Sequence, residues 1–225
     1  MIIKNGDEEL DKFRIFKDTP YLEVIAGGMY SGKSQEINRR LTNIDYYNQH
    51  RESEFDGSDK IRYIILKPNT DTRSADIRKI PYADKNLVVV SKSDINHDVN
   101  GDYISLVKDY DYIILDEAQF FDSKIISTIK LLLEENKYVL VAGLDKDHKG
   151  EPFSDFMKWV LAVADEVTKL TAICANCGSP STMAKLVSKN PNEKFTGNII
   201  IEDENHRYVP LCRKCMNDRN LFKKI

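Results

Sequence analysis

The chain has 225 residues, with 33 Lys and Arg against 36 Asp and Glu, and a formal net charge of −3. Hydrophobic residues make up 41% and charged residues 31%, a composition typical of water-soluble globular proteins that excludes disordered and fibrous classes. The near-equal numbers of basic and acidic residues argue against nucleic acid as a partner. No apolar stretch approaches the ~20 residues of a membrane helix. The first residues, MIIKNGDEELDKF, lack the apolar run of a secretory signal, so we expect a cytoplasmic protein.

Short apolar stretches alternate with helical patterns in the first three quarters of the chain. Stretches at residues 21–26, 61–66, 87–90, 112–115 and 138–142 lack strict alternation, as do strands buried on both faces of a parallel sheet. A helix is predicted after Ser123, its expected N-cap, with one apolar face made by Ile125, Ile126, Ile129, Leu132 and Leu133. This order predicts an α/β fold, with a RecA-like parallel sheet flanked by helices.

A phosphate-binding motif lies between the first predicted strand and the first predicted helix. Residues 27–34 (GGMYSGKS) match G-x-x-x-x-G-K-[ST], in which backbone N–H groups and a helix N-terminus bind phosphate oxygens. We therefore predict that Lys33 contacts the β- and γ-phosphates and that the Ser34 hydroxyl binds Mg²⁺. The whole predicted ATP-binding segment is Gly27, Gly28, Met29, Tyr30, Ser31, Gly32, Lys33 and Ser34.

Two carboxylates follow the predicted strand at residues 112–115. Asp116 has the position of the acid that holds Mg²⁺ in P-loop enzymes, directly or through water. Glu117, one residue on, is placed to accept a proton from an attacking hydroxyl or water. The spacing alone leaves a second interpretation, in which Glu117 is a surface residue at a strand end.

The four cysteines form two CxxC pairs, separated by residues 178–211: Cys174, Cys177, Cys212 and Cys215. In a reducing compartment this pattern predicts a structural zinc ion with four thiolate ligands and no open catalytic position. A redox pair or unpaired surface thiols are the alternatives. The change of character near residue 171 predicts three segments: an N-terminal arm (1–20), a P-loop domain (21–170) and a zinc-binding domain (171–225).

Six motifs in order give the chain a recognisable pattern: GGMYSGKS (27–34), KPNTDTR (67–73), DEAQFF (116–121), GLDKDHKGEPF (143–153), LTAICANC (170–177) and YVPLCRKC (208–215). Over about residues 20–216 the chain resembles the zinc-containing thymidine kinases. The resemblance implies transfer of the γ-phosphate of ATP to the 5′-hydroxyl of thymidine, in pyrimidine deoxynucleoside salvage for DNA synthesis. It also implies ATP, Mg²⁺ and structural Zn²⁺ as cofactors, and a homotetramer subject to feedback inhibition by the triphosphate end product.

The resemblance also assigns roles to individual residues. It makes Glu117 the general base, adds Gln119 to the ATP site with Asp116, and puts Asp71 and Arg73 beside the phosphoryl-transfer site. A lasso-like loop between the cysteine pairs would cover the base, and the nucleoside-binding residues would be Met29, Phe120, His148, Phe153 and Tyr208. Without the resemblance, Met and aromatic side chains near a sheet are interpreted as core residues.

Three departures from the family pattern affect the expected specificity. His148 stands where the family usually has Phe, Ala184 where it has Thr, and Asp203 and Glu204 where it has two glycines. These changes predict a wetter and wider base pocket and a different backbone path in the covering loop. A preference for deoxyuridine or a modified pyrimidine is therefore an alternative to thymidine.

Two other classes of function compete with a nucleoside kinase. DEAQ also resembles a helicase motif, which suggests a nucleic-acid-dependent ATPase, but the chain lacks runs of basic residues interleaved with aromatics. The altered pocket suggests a nucleotide-sensing relative that has lost catalysis. Against that alternative, the residues expected to do the chemistry are all present: Lys33, Ser34, Arg73, Asp116 and Glu117.

Overall fold

The computed structural model describes residues 18–55, 59–69, 81–90, 102–190 and 204–218. Six strands form one parallel sheet in the order β3-β2-β4-β5-β1-β6. Their bounds are β1 (Tyr21–Gly27), β2 (Tyr63–Pro68), β3 (Leu87–Val90), β4 (Tyr112–Leu115), β5 (Tyr138–Gly143) and β6 (Glu166–Leu170). The first five are the predicted strands, with β2 displaced two residues toward the C-terminus.

Helices cover both faces of the sheet, because the central strands are apolar on both sides. On one face, Ile37, Leu41 and Ile44 of α1 (Lys33–Glu54) pack on alternate residues of the sheet. On the other face lie α2 (Asp102–Val107), α3 (Ile125–Glu134) and α4 (Asp155–Val163). The predicted α/β fold class, a parallel sheet flanked by helices, is confirmed.

Two features of this domain differ from the sequence prediction. Strand β6 was not predicted, because its sequence EVTKL is half polar; among the described residues it pairs only with β1, at one edge of the sheet. Ser123 is not the cap of α3, which begins at Ile125. Instead, the Asp122 carboxylate accepts the backbone N–H of Lys124 at 2.9 Å, a local turn that acidic side chains form readily.

The C-terminal part is built from short antiparallel pairs. Strand β7 (Ala172–Ile173) pairs with β8 (Pro180–Ser181), and β9 (Met183–Ser188) pairs with β10 (His206–Leu211), which is followed by α5 (Arg213–Met216). Residues 191–203, which include much of the predicted lasso-like loop, lie outside the described residues, as do residues 1–17 of the predicted arm. Among the described helices, none is long and apolar enough to cross a membrane.

A buried ion pair connects β1 to α1, on the face of the sheet that α1 covers. Glu23, the one charged residue in β1, is 2% exposed, and its carboxylate accepts hydrogen bonds from the Arg40 guanidinium and the Tyr138 hydroxyl. Arg40 also donates to Glu36 at 2.9 Å. Each buried charge therefore has a partner of opposite sign, which is the condition under which burial of a charge is tolerated.

We expect Arg40→Met to lower the free energy of unfolding by about 3–5 kcal/mol, because it leaves the Glu23 carboxylate buried without its cation. Denaturant unfolding followed by circular dichroism measures the loss. Arg39→Met is the matched control: Arg39 pairs with Glu36 at 2.7 Å, but its side chain is 54% exposed, so its loss should be about 0–1 kcal/mol. Equal losses for the two variants would contradict the assignment.

Candidate functional site

The phosphate loop joins β1 to α1 with a tight backbone path. Gly32 precedes α1 with φ 90°, a left-handed conformation that favours glycine. A Cβ atom on Gly27 would lie 2.6 Å from both the Leu170 carbonyl oxygen and the Ser31 Oγ, so only glycine fits there. Lys33 Nζ donates to the carbonyl oxygens of Gly27 and Gly28 at 3.1 and 3.0 Å. The predicted loop and its lysine are thus held together at the carboxyl end of β1.

The two predicted carboxylates lie at the same edge of the sheet, directly after β4. Strand β5 lies between β1 and β4, so Asp116 and Glu117 are two strands away from the phosphate loop. Asp116 is 1% exposed, and its Oδ2 accepts a hydrogen bond from Lys67 Nζ at 3.0 Å. Lys67 Nζ also lies 3.9 Å from Glu117 Oε1. One buried lysine therefore lies beside both carboxylates and offsets part of their charge.

A buried tyrosine hydroxyl contacts the aspartate at the end of β4. Tyr82, in the turn before β3, donates a hydrogen bond to Asp116 Oδ2. Burial, and then the negative charge of Asp116, raise the pKa of Tyr82 well above its usual range, so the phenol stays protonated. Asp116, the acid predicted to bind Mg²⁺, thus has a protonated phenol and the Lys67 ammonium on the same carboxylate oxygen.

Glu117 has an unusual backbone conformation and a dedicated partner. Its φ of 50° is left-handed, a region that residues other than glycine seldom occupy and that is often found at functional sites. Gln119 Nε2 donates to Glu117 Oε2 at 2.5 Å, and Gln119 Oε1 accepts the Leu144 backbone N–H at 2.9 Å. Gln119, which is 3% exposed, therefore fixes the Glu117 carboxylate to the end of β5. Its predicted contact with ATP stays a prediction.

The predicted nucleoside-binding residues lie on three separate segments. Phe120, in a 3-10 helix (Ala118–Phe120), contacts the Phe153 ring edge-on, with centroids 5.9 Å apart. His148 lies in the turn after β5, Met29 in the phosphate loop, and Tyr208 on β10 opposite Leu186. Their joint role in binding a nucleoside stays a prediction. Asp71, Arg73 and Asp203 lie outside the described residues, whereas Ala184 pairs with Pro210 in the hairpin and Glu204 is exposed.

The turn that carries His148 is held by an aspartate at the end of β5. Asp145 Oδ2 accepts hydrogen bonds from Lys146 at 2.8 Å and lies 3.2 Å from Lys169 Nζ on β6. Burial alone would raise the pKa of Asp145, but these two lysines outweigh it and lower the pKa. The Asp145 carbonyl oxygen accepts the Phe153 N–H at 3.2 Å. Asp145 therefore connects the turn, through its lysine partner, to the strand that leads into the cysteine-containing part.

The four cysteines converge into one cluster, as the sequence predicts. Their sulfur atoms all lie within 4.8 Å of one another, and the Sγ atoms of Cys177 and Cys212 are 3.7 Å apart. In a tetrahedral zinc site, a Zn–S bond of about 2.3 Å places sulfurs about 3.8 Å apart. The cluster therefore fits a structural zinc ion that uses all four thiolates.

The thiols of this cluster have divergent acidities. Burial would raise the pKa of Cys174, but hydrogen bonds from backbone N–H groups of Cys212, Cys177 and Asn176 outweigh it and lower the pKa to about 6. The Asn176 amide donates to Cys215 Sγ at 3.3 Å, which favours the thiolate, yet burial and the neighbouring sulfurs raise the pKa of Cys215 to about 12. Four thiols this close ionise together only when a cation offsets their mutual repulsion.

Three residues of the site were not assigned a role from the sequence. Lys67 and Asp145 belong to the quoted motifs KPNTDTR and GLDKDHKGEPF, so the signal for them was present. Tyr82 belongs to no motif. Only the fold brings it to Asp116, because its ring packs in the same apolar layer as α1.

Comparison with solved structures finds weak similarity to proteins of DNA replication. These are a DNA replication initiation factor (15% identity, TM-score 0.38, 68% of this chain and 41% of that chain), domain III of the Thermotoga maritima replication initiation protein DnaA (17%, 0.39, 68% and 56%), and AMPPCP-bound DnaA from Aquifex aeolicus (14%, 0.39, 76% and 48%). The chain spans about half the length of these structures. Similarity at this level carries no argument about function.

Comparison with protein families gives a definite result. The family described as "Thymidine kinase" matches residues 20–216, which include the phosphate loop, both carboxylates and all four cysteines. The match confirms the resemblance drawn from the six motifs and supports thymidine kinase function. The chain belongs to the thymidine kinase family.

Proposed function

We propose that this chain transfers the γ-phosphate of ATP to the 5′-hydroxyl of thymidine. The observation that carries the proposal is that residues 27–34 follow β1 while Asp116 and Glu117 follow β4, two strands away in the same parallel sheet. A phosphate-binding loop, a buried acid and a candidate base thus share one edge of the sheet, where ligands of open α/β sheets bind. Phosphoryl transfer needs little beyond such positioning and charge stabilisation.

The residues present fit a magnesium ion. Mg²⁺ prefers oxygen ligands and is usually held by one or two carboxylates or hydroxyls together with substrate phosphates. Ser34 Oγ, at the start of α1, and the Asp116 carboxylate, directly after β4, are such ligands. When bound, Mg²⁺ supplies positive charge that offsets the charge on the phosphate oxygens.

Lys33 and Glu117 would carry out the other parts of the transfer. Lys33, which donates to two carbonyl oxygens of its loop, would turn to the phosphates and stabilise negative charge during transfer. The Glu117 carboxylate, held by the Gln119 amide, would accept the proton of the 5′-hydroxyl as that oxygen attacks phosphorus. Asp71 and Arg73 are proposed beside the same site on the resemblance of their motif alone.

The acceptor would lie between the phosphate loop and the hairpin of the C-terminal part. Gly28 lies against the backbone of Thr182, and the Met183 side chain lies against Gly150 in the turn that carries His148. The proposed division at residue 171 therefore puts the nucleoside between two domains, where small-molecule sites commonly occur. The homotetramer and the cytoplasmic location remain part of the proposal.

A nucleoside panel tests the proposal. Phosphoryl transfer from ATP is measured for thymidine, deoxyuridine, deoxycytidine and purine deoxynucleosides, and ATP turnover is measured with single-stranded DNA. We expect thymidine to be preferred over deoxyuridine, which lacks one methyl group, by about 10- to 200-fold in kcat/KM. A higher kcat/KM for deoxyuridine would instead indicate that His148 and Ala184 have changed the specificity. ATP turnover stimulated by DNA and by no nucleoside would overturn the proposal.

A further inference from the structure

The side chain of Gln119 is buried and makes its hydrogen bonds within the protein. It is 3% exposed, and each end of its amide has a partner. Nε2 donates to Glu117 Oε2 at 2.5 Å, and Oε1 accepts the backbone N–H of Leu144 at 2.9 Å. A buried amide with partners at both ends offers little surface to a nucleotide, which is the ligand that the family resemblance implies for Gln119.

The Leu144 N–H determines which way the Gln119 amide faces. A backbone N–H can only donate, so it must meet the carbonyl oxygen of the amide, and the amide nitrogen then faces Glu117. The reversed amide would set two donors against each other at Leu144 and two acceptors against each other at Glu117. The end of β5 therefore specifies that Glu117 receives a hydrogen-bond donor.

Gly143, the last residue of β5, leaves space for this amide. A Cβ atom at Gly143 would lie 2.8 Å from Gln119 Oε1 and 3.2 Å from the Ala118 Cβ. At 2.8 Å the Cβ would force the Gln119 amide to move, because atoms in a protein interior are already closely packed. Gly143 therefore provides a second way to disturb Gln119 without changing its chemistry.

The Glu117 carboxylate has a different neighbour at each oxygen. Gln119 donates to Oε2, and Lys67 Nζ lies 3.9 Å from Oε1. The left-handed backbone of Glu117 and the 3-10 helix that follows bring the side chains of residues 117 and 119 into contact. A carboxylate oxygen has two lone pairs, so the hydrogen bond from Gln119 orients Glu117 and leaves it able to accept a proton.

We propose that Gln119 is a positioning residue for Glu117, holding its carboxylate at a fixed place relative to the turn at residues 144–153. That turn carries His148 and Phe153, two of the residues expected to contact the nucleoside, so the amide aligns the base with the 5′-hydroxyl. The inference rests on the proposed function, since it requires that Glu117 is the base. Misplacing a reacting group by about 1 Å can cost about 10²-fold in rate.

Gln119→Met tests this role, because methionine keeps the length of the side chain and removes both hydrogen bonds. We expect kcat for thymidine phosphorylation to fall by about 10- to 100-fold, with the KM for ATP unchanged. If Gln119 instead contacted ATP, the KM for ATP and the dissociation constant of a non-hydrolysable analogue would rise while kcat stayed the same. That result would overturn the inference and leave the proposed function intact.

Asn48→Leu is the matched control for the loss of an amide that is hydrogen-bonded to backbone. The Asn48 amide accepts the Ile61 N–H at 2.8 Å and donates to the Ile61 carbonyl oxygen at 2.9 Å. Asn48 lies about 22 Å along α1 from the start of that helix. We expect Asn48→Leu to lose thermal stability as Gln119→Met does and to keep the wild-type kcat. Equal losses of kcat in the two variants would contradict positioning.

Two further variants separate positioning from a general loss of packing. Gly143→Ala displaces the Gln119 amide and keeps its hydrogen-bonding groups, so it should also lower kcat. In the Glu117→Gln background, Gln119→Met should lower kcat by less than it does in wild type, because the base that it positions is gone. Fully additive effects would overturn the inference. A wild-type protein that phosphorylates no nucleoside would instead overturn the proposed function.

Discussion

We expect Glu117→Gln to lower kcat for thymidine phosphorylation by about 10²- to 10⁴-fold, the usual contribution of a general base. Glutamine has the shape of glutamate, and its carbonyl oxygen can still accept the hydrogen bond that Gln119 donates at 2.5 Å. The left-handed backbone at this position is equally open to either residue. The variant therefore keeps the shape of the side chain and the Gln119 hydrogen bond, and it removes the negative charge near Lys67 together with the ability to take up a proton.

Measurement of kcat together with binding of a non-hydrolysable ATP analogue distinguishes loss of chemistry from loss of the site. Analogue affinity should stay near the wild-type value, because Lys33 and the phosphate loop are unchanged. Glu134→Gln, which makes the same change at an exposed position on α3, serves as the control and should be fully active. A Glu117→Gln enzyme with near wild-type kcat would show that Glu117 is not the base.

The sequence predicts most of this architecture because its signals are local. Apolar stretches identify β1 to β5, and the glycine motif marks the turn between β1 and α1. Strand β6 escapes prediction because its sequence EVTKL is half polar, whereas the other edge strand, β3, is the apolar LVVV. The predicted cap of α3 was wrong because the helix begins at Ile125, two residues after Ser123, and Lys124 at the N-cap position makes no capping hydrogen bond with its side chain.

The sequence predicts a member of the candidate site only where that residue stands in a motif with a known chemical role. Lys33, Asp116 and the cysteines stand in motifs with fixed spacing, and the structure places each at the expected end of its element. Tyr82 has no such signal, because nothing in the surrounding sequence tells a buried hydroxyl from a buried ring. Its contact with Asp116 is long-range and depends on the path of the turn before β3.

A second large effect is expected when the cysteine cluster loses one of its four thiols. We expect the protein to bind one zinc ion per chain and Cys215→Ser to lose it, with unfolding of the part that includes β9, β10 and α5. Among the described residues of this part, Cys174, Leu211 and Cys215 form the buried apolar cluster, with a few half-buried neighbours. Structural zinc contributes about 10–16 kcal/mol in isolated zinc-finger peptides, far more than so few side chains provide.

Two measurements test this expectation: metal content by plasma mass spectrometry, and the thermal unfolding of each variant. Lys214→Ser is the matched control, since it makes a serine at an exposed position between the two cysteines of the same pair. We expect it to keep the zinc and the wild-type melting temperature.

Thymidine binding should fall in Cys215→Ser, because Thr182 and Met183 of the same part lie against the phosphate loop and the His148 turn. Binding of the ATP analogue should persist, because the parallel sheet has its own two apolar layers. A zinc-free Cys215→Ser protein with wild-type stability and thymidine affinity would show that the cluster is not structural.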